Sequence, residues 1–138
     1  MINIEKIHNY LSEQNLIFEN ILKYKEKYLS ITTNLLYSNN DSIEIQLEFD
    51  PDKKRLIIYN TDIFDEIYND KLLNDIKNNK IKTYNDFCID NKNLIMYKDL
   101  SFLLNENKID KEILEKLSFY ILNFAKNVYA IQFLSFYY

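Results

Sequence analysis

His8 and Cys88 are the sole histidine and cysteine of this sequence. They are the first residues to weigh for chemistry, because an imidazole moves protons or binds metals near neutral pH and a thiolate is a nucleophile. Each needs company: a base needs a positioned carboxylate, and a metal needs further ligands. His8 sits beside Ile4, Ile7 and Leu11, the apolar stripe of a helix, and reads as a histidine at the edge of the core. Cys88 lies between Phe87 and Ile89 in a strand, with no basic neighbour or helix start to lower its pKa. It reads as a buried, inert thiol.

Carboxylates offer the remaining chemistry. Asp50 and Asp52 flank the single proline, Pro51, while Asp62, Asp65 and Glu66 crowd a helix start. Two carboxylates on separate elements can form a metal site or an acid/base pair. Turn formation and complementation of the helix dipole explain the same positions without further assumptions. "DNKNLIMYKDL" has the look of a calcium loop, but Lys92 stands at a ligand position and the required glycine is missing. Glu44, Gln46 and Glu48 share the outward face of a strand, either simply solvated or half of an acidic partner surface. The expectation is a protein with no catalytic, cofactor-binding or metal-binding residues, and not an enzyme.

The elements that position these residues can be read from hydrophobic periodicity. Residues 3–17 predict a helix with Asn3 as N-cap. "NLIFENILKYKEKY" fits either a continuation of that helix or an entering strand. From Tyr28 the period becomes two: "YLSITTNLLY", "SIEIQLEF" and "KRLIIYN" predict three strands of a meander, with "SNND" and "DPDK" as turns. Ile43, Ile45, Leu47 and Phe49 face the helices. "TDIFDEIYNDKLLNDIKNN" predicts a second helix, capped by Thr61 or Asp62. Its apolar face is Ile63, Phe64, Ile67, Tyr68, Leu72, Leu73 and Ile76, with "YND" as a point of bending or breakage. "TYNDFCID" and "NLIMYKDLSFLL" predict a hairpin. A third helix follows with Asp110 as N-cap, Ile109 stapled to Leu114, and a stripe of Leu114, Leu117, Ile121, Phe124, Val128 and Ile131. The order α-β-β-β-α-β-β-α predicts one α+β domain over 1–138, a single antiparallel five-stranded sheet with helices packed on one face.

Composition narrows the function classes. The 138 residues are 47% hydrophobic and 28% charged with a net charge of −4, a globular balance rather than a disordered one. Arg55 is the sole arginine and the lysines are scattered, which argues against nucleic acid. No stretch approaches the ~20 apolar residues needed to span a bilayer, and the start is not a signal peptide. A cytoplasmic setting without a membrane is expected. Glycine is absent and residues with GC-rich codons are scarce, the mark of an AT-rich genome. Without glycine there is no P-loop, dinucleotide fingerprint or nucleophile elbow. Positions with positive φ are expected to fall to asparagine.

The element order, the strand lengths and "FCIDNKNLIMYKDLSFLLNENKIDKEILEKLSFYILNFA" resemble the type III secretion chaperone-like fold and the YbjN family that shares it, over residues 3–134. That resemblance implies a small, acidic, homodimeric cytoplasmic protein that holds a segment of a partner or acts in regulation. "NNDSIEIQLEFDPDKKRLIIYNTDIFDEI" is also similar to a phage-associated domain of unknown function. The leading reading is a non-enzymatic protein-interaction domain, binding a partner by burying apolar side chains or by adding a strand at its sheet edge. The alternative is a phage- or toxin-related accessory protein, an immunity or anti-defence factor that blocks its target through an acidic surface.

The tail "AIQFLSFYY" bears on both. Ile131 and Leu134 extend the helix stripe, but Phe133, Phe136, Tyr137 and Tyr138 spread round the helix. Leaving such rings in water forgoes roughly 1.5–3 kcal/mol each. These four residues are therefore expected at a partner or homodimer interface. The competing expectation is a sheet curled enough to bury them within one chain.

Overall fold

The computed structural model describes residues 1–14, 18–78, 87–105 and 107–138. Helix α1 (Ile4–Ser12) leads into strands β1 (Phe18–Tyr24), β2 (Tyr28–Leu36), β3 (Ser42–Asp50) and β4 (Arg55–Asn60). A 3₁₀ turn (Ile63–Asp65) and the short helix α2 (Asp70–Lys77) follow. Strands β5 (Cys88–Asp90) and β6 (Ile95–Asp99), a second 3₁₀ turn (Ser101–Asn105) and the long helix α3 (Asp110–Ser135) complete the chain. The fold is α+β with an open sheet in which every described pairing is antiparallel, in the order β1-β2-β3-β4-β6-β5.

Among the described residues the sheet has six strands, not five. The additional one is β1, drawn from the stretch that fitted helix and strand equally. Its apolar residues satisfy both periods, and the hairpin with β2 decides. Tyr24 pairs with Tyr28, their rings stack at 5.7 Å, and Ile21 faces Ile31 in the core. The meander and its inward face agree with the alternation of β3. Ile43, Ile45 and Leu47 are fully buried and Phe49 is 2% exposed. Helix α3 lies over β2 and β3, and α1 over β1. All six stripe residues of α3 are buried, as expected from their spacing.

The second helix departs from the expected span. The chain winds a single 3₁₀ turn, extends through residues 67–69, and restarts as α2, with Asn69 Oδ1 accepting from the Leu72 N–H at 3.0 Å. Neither Thr61 nor Asp62 caps with its side chain. The break resets the helical phase, so Tyr68, placed on the apolar face by continuous periodicity, is 85% exposed. Asn3 does cap α1, accepting from Lys6 N at 2.9 Å. Asp110 does not cap α3. Ile109 occupies that position, exposed rather than stapled, while the Asp110 carboxylate binds Lys6 at 2.9 Å and the N-terminal ammonium at 3.4 Å. A long-range ion pair there replaces the local bond. Residues 15–17 of the first expected helix and 83–86 of the fourth expected strand lie outside the described residues.

The turns overturn a second expectation. Of the four described residues at positive φ, only Asn40 (71°) is asparagine. Lys25 (60°), Lys54 (49°) and Leu94 (54°) hold the others. A Cβ in this region costs roughly 1–2 kcal/mol, only partly offset by the smaller unfolded-state entropy of a non-glycine residue. Lys54 is exposed and its main-chain N–H donates to Pro51 O at 3.2 Å, a bond that glycine keeps. Lys54→Gly is expected to raise unfolding free energy by about 0.5–1 kcal/mol in urea titrations. A loss of stability would contradict this account of the turn.

The same turn holds the buried carboxylate Asp50, 4% exposed. It accepts from Lys27 Nζ at 3.0 Å and from the main-chain N–H groups of Asp52 and Lys53 at 3.2 and 3.3 Å. The Lys27 ammonium, aided by these N–H groups and opposed by desolvation, holds the carboxyl below its ordinary value of 3.8. A depressed folded-state pKa contributes stability above the unfolded value, and this is lost as pH falls through the folded one. Wild-type stability is therefore expected to decline below about pH 3.8, and Asp50→Asn to flatten that part of the profile. Parallel acid profiles for the two proteins would refute the assignment.

Candidate functional site

The site is built where the β2–β3 turn meets the end of β4. β2 carries a bulge between Thr32 and Leu36, and Thr33 repairs it by donating its hydroxyl to Ile43 O at 2.7 Å. The bulge lets the end of β2 turn inward, so Tyr37 is buried at 3% exposure. Asn60, fully buried at the end of β4, gathers the surrounding groups. Its amide N–H donates to the Tyr37 hydroxyl at 3.0 Å and to Glu44 O at 2.8 Å. Its Oδ1 accepts from Asp62 N at 3.1 Å and Ile63 N at 2.9 Å. The cap of the 3₁₀ turn is thus Asn60 rather than Thr61 or Asp62.

This arrangement opens a hollow of about 510 Å³ lined by Thr32, Tyr37, Asp41, Ser42, Glu44, Asp62, Asp65 and Glu66. The outward acid of β3 and the three acids after β4 are brought to one place, and Asp41 joins them. Burial, and then the charges of Asp62, Glu66 and Glu44, push the Tyr37 hydroxyl well above its ordinary value, against the Asn60 hydrogen bond. Glu66 Oε1 accepts from Asn39 Nδ2 at 3.3 Å, whereas its Oε2 is buried with no hydrogen-bond partner. The same asparagine donates to Asp41 at 3.0 Å. Among the described residues, no group of three or more His, Cys, Asp or Glu is placed to hold a metal ion.

The other acids lie elsewhere. Asp50 is committed to Lys27 and its turn, and Asp90 accepts from Lys92 N and Asn93 N in the β5–β6 turn at 3.0 and 3.1 Å. His8 is half-buried on α1, with Nε2 3.1 Å from Ile21 O, the core-edge position expected. Cys88 corrects the sequence reading: it is exposed. Strand alternation sends Phe87 and Ile89 inward, and Cys88 therefore outward beside Tyr97. Glu44, Gln46 and Glu48 are half-buried rather than solvated, because Ser30 and Tyr59 flank Gln46 on neighbouring strands. Burial, then Tyr24 and Glu48, push the Tyr59 hydroxyl up to about 12.

The aromatic tail stands beside the hollow. Phe133 is 52% exposed, Phe136 63% and Tyr137 74%, so the sheet does not curl over them. Leu134, expected to extend the buried stripe, is also exposed, as are Leu36 and Tyr129. Tyr138 behaves differently: its hydroxyl bonds Asp75 and its ring lies under Lys71, which ties it to α2. Phe133 separates two depressions. One, about 240 Å³, is lined by Phe87, Asn127, Ala130, Ile131, Phe133, Leu134 and Tyr137 and has no charged residue. The other, about 190 Å³, is formed by Leu36, Tyr37, Ser38, Asn40, Tyr129, Gln132, Phe133 and Phe136.

The residues missed in the sequence are Tyr37, Asn60 and Asp41. A buried polar residue ending an apolar strand, as Asn60 ends "RLIIYN", was the available signal. Replacing Asn60 with leucine would leave the Tyr37 hydroxyl, Glu44 O and two main-chain N–H groups without partners. Asn60→Leu is expected to cost about 3 kcal/mol in urea unfolding. A cost below about 1 kcal/mol would show that these groups find other partners.

No described helix is long and apolar enough to cross a membrane. Comparison with family models, curated proteins and solved structures finds no match.

Proposed function

We propose that the chain is a non-enzymatic protein-interaction domain, chaperone-like or regulatory and cytoplasmic, that binds through the aromatic C-terminal end of α3. The exposure of Phe133, Phe136 and Tyr137 next to Leu36, Tyr129 and Leu134 carries this reading. Large contiguous apolar patches mark interaction surfaces, and aromatic side chains dominate the energetics of such contacts. Support for a non-enzymatic role comes from the separation of the imidazole and the thiol, which lie on α1 and β5, each outside the acidic hollow. A homodimer is the form of association favoured by the uncharged depression between Phe87, Leu134 and Tyr137, which sets no like charges against each other across a two-fold axis.

The test is Phe133→Asp/Phe136→Asp, two exposed positions at which folding is retained and checked by circular dichroism. Affinity capture from native lysate is expected to retain a protein on the wild type and to lose it on the variant. Light scattering is expected to give a dimer mass for the wild type and a monomer mass for the variant. A folded variant that captures the same proteins and keeps the same mass would remove α3 from the binding surface.

A further inference from the structure

The acidic hollow and the groove on the Leu36 side of Phe133 are two parts of one surface. Tyr37 lines both, and the β2–β3 turn divides them, giving Ser38 and Asn40 to the groove and Asp41 and Ser42 to the hollow. That ridge is braced from three sides. Gln132 of α3, 2% exposed, donates to Ser38 Oγ at 3.0 Å. Asn39 reaches Glu66, and Asn60 reaches Tyr37. A groove of mixed lining, with Leu36, Tyr129, Phe133 and Phe136 beside the polar Ser38, Asn40 and Gln132, therefore stands next to five carboxylates, those of Asp41, Glu44, Asp62, Asp65 and Glu66.

The described ion pairs hold cations on Glu5, Glu48, Asp50 and Asp110, all outside the hollow. Glu66 is half-buried in the lining of the hollow, with Oε1 held by Asn39 and Oε2 making no hydrogen bond to a described residue. The hydroxyl pKa of Tyr37 at the junction is raised first by its burial and further by the charges of Asp62, Glu66 and Glu44. A second copy carries more acids than bases and brings no surplus of cations to the hollow, and the uncharged depression on the other side of Phe133 is the one that suits it.

We infer that this composite surface docks a positively charged amphipathic segment of a partner protein, its Leu, Phe or Met side chains in the groove and its Lys or Arg in the acidic hollow. The inference rests on the reading of the α3 end as a binding surface and adds the chemistry of the occupant. A helix with basic and apolar faces meets both requirements, because anchors and charges three or four residues apart project side by side. The fixed ridge lowers the ordering cost of binding. The attraction between exposed charges is screened by salt, so affinity falls as ionic strength rises.

The probe is a synthetic amphipathic peptide of Leu and Lys in helical register, compared with its Glu-for-Lys and Ser-for-Leu counterparts by fluorescence anisotropy. The Leu/Lys peptide is expected to bind, and the two counterparts to fail. Asp65→Asn/Glu66→Gln and, separately, Leu36→Ser/Tyr129→Ser are each expected to weaken binding at least about tenfold. Glu112→Gln/Glu115→Gln, remote on α3, is expected to leave it unchanged. Absence of binding by the Leu/Lys peptide overturns the inference. So does equal binding by the Asp65/Glu66 variant, or displacement of the peptide by self-association as protein concentration rises. If Phe133→Asp/Phe136→Asp abolishes partner capture while the acid variants bind the peptide normally, the basic occupant is wrong and the interaction surface stands. If that aromatic variant alters neither, both fail.

Discussion

Asn60 is the point on which the functional end of the molecule depends. A fully buried amide is costly unless its donors and acceptor are used, and here four groups use them. Those groups belong to the end of β2, to β3 and to the 3₁₀ turn. One side chain thus fixes the inward course of Tyr37, the exit of the chain from β4 and the start of the acidic segment. The groups are not interchangeable. A leucine would fill the volume but could not tell the chain where to leave the sheet, so the constraint is directional rather than merely cohesive.

The sheet supplies the rigid frame around that point. β3 is apolar on one side at every second residue, and α3 covers it with a stripe that matches in length. Past Ile131, Gln132 is still buried against Ser38, while Phe133, Phe136 and Tyr137 stand on the uncovered side of the helix.

Legibility followed the range of the interactions. The β3 alternation, the Asn3 cap and the α3 stripe are set by neighbours within a few residues, and each was readable. The β1 strand was not, because only pairing with β2 chooses between two periods that its residues satisfy equally. The 3₁₀ turn escaped for a similar reason: Asn60 caps it from the preceding strand, outside the window in which helix starts are sought. Cys88 was misjudged because apolar neighbours in sequence point to the opposite face in a strand. The acids of the hollow were each visible, but their meeting required the bulge at Thr33 and the turn at Asn40, which no spacing rule encodes.

One contact at the other end of the sheet bears on how copies of this protein can accumulate. His8 on α1 occupies the carbonyl of Ile21 on the outermost strand, and α1 lies against that strand. A row of free main-chain groups at a sheet edge is a template on which further chains can polymerise. Indefinite growth by strand pairing requires two such ends on every unit. A side chain that takes one of those groups for itself removes one point of attachment from the row. The histidine that reads as an idle core-edge residue thus takes up one main-chain acceptor of the outermost strand.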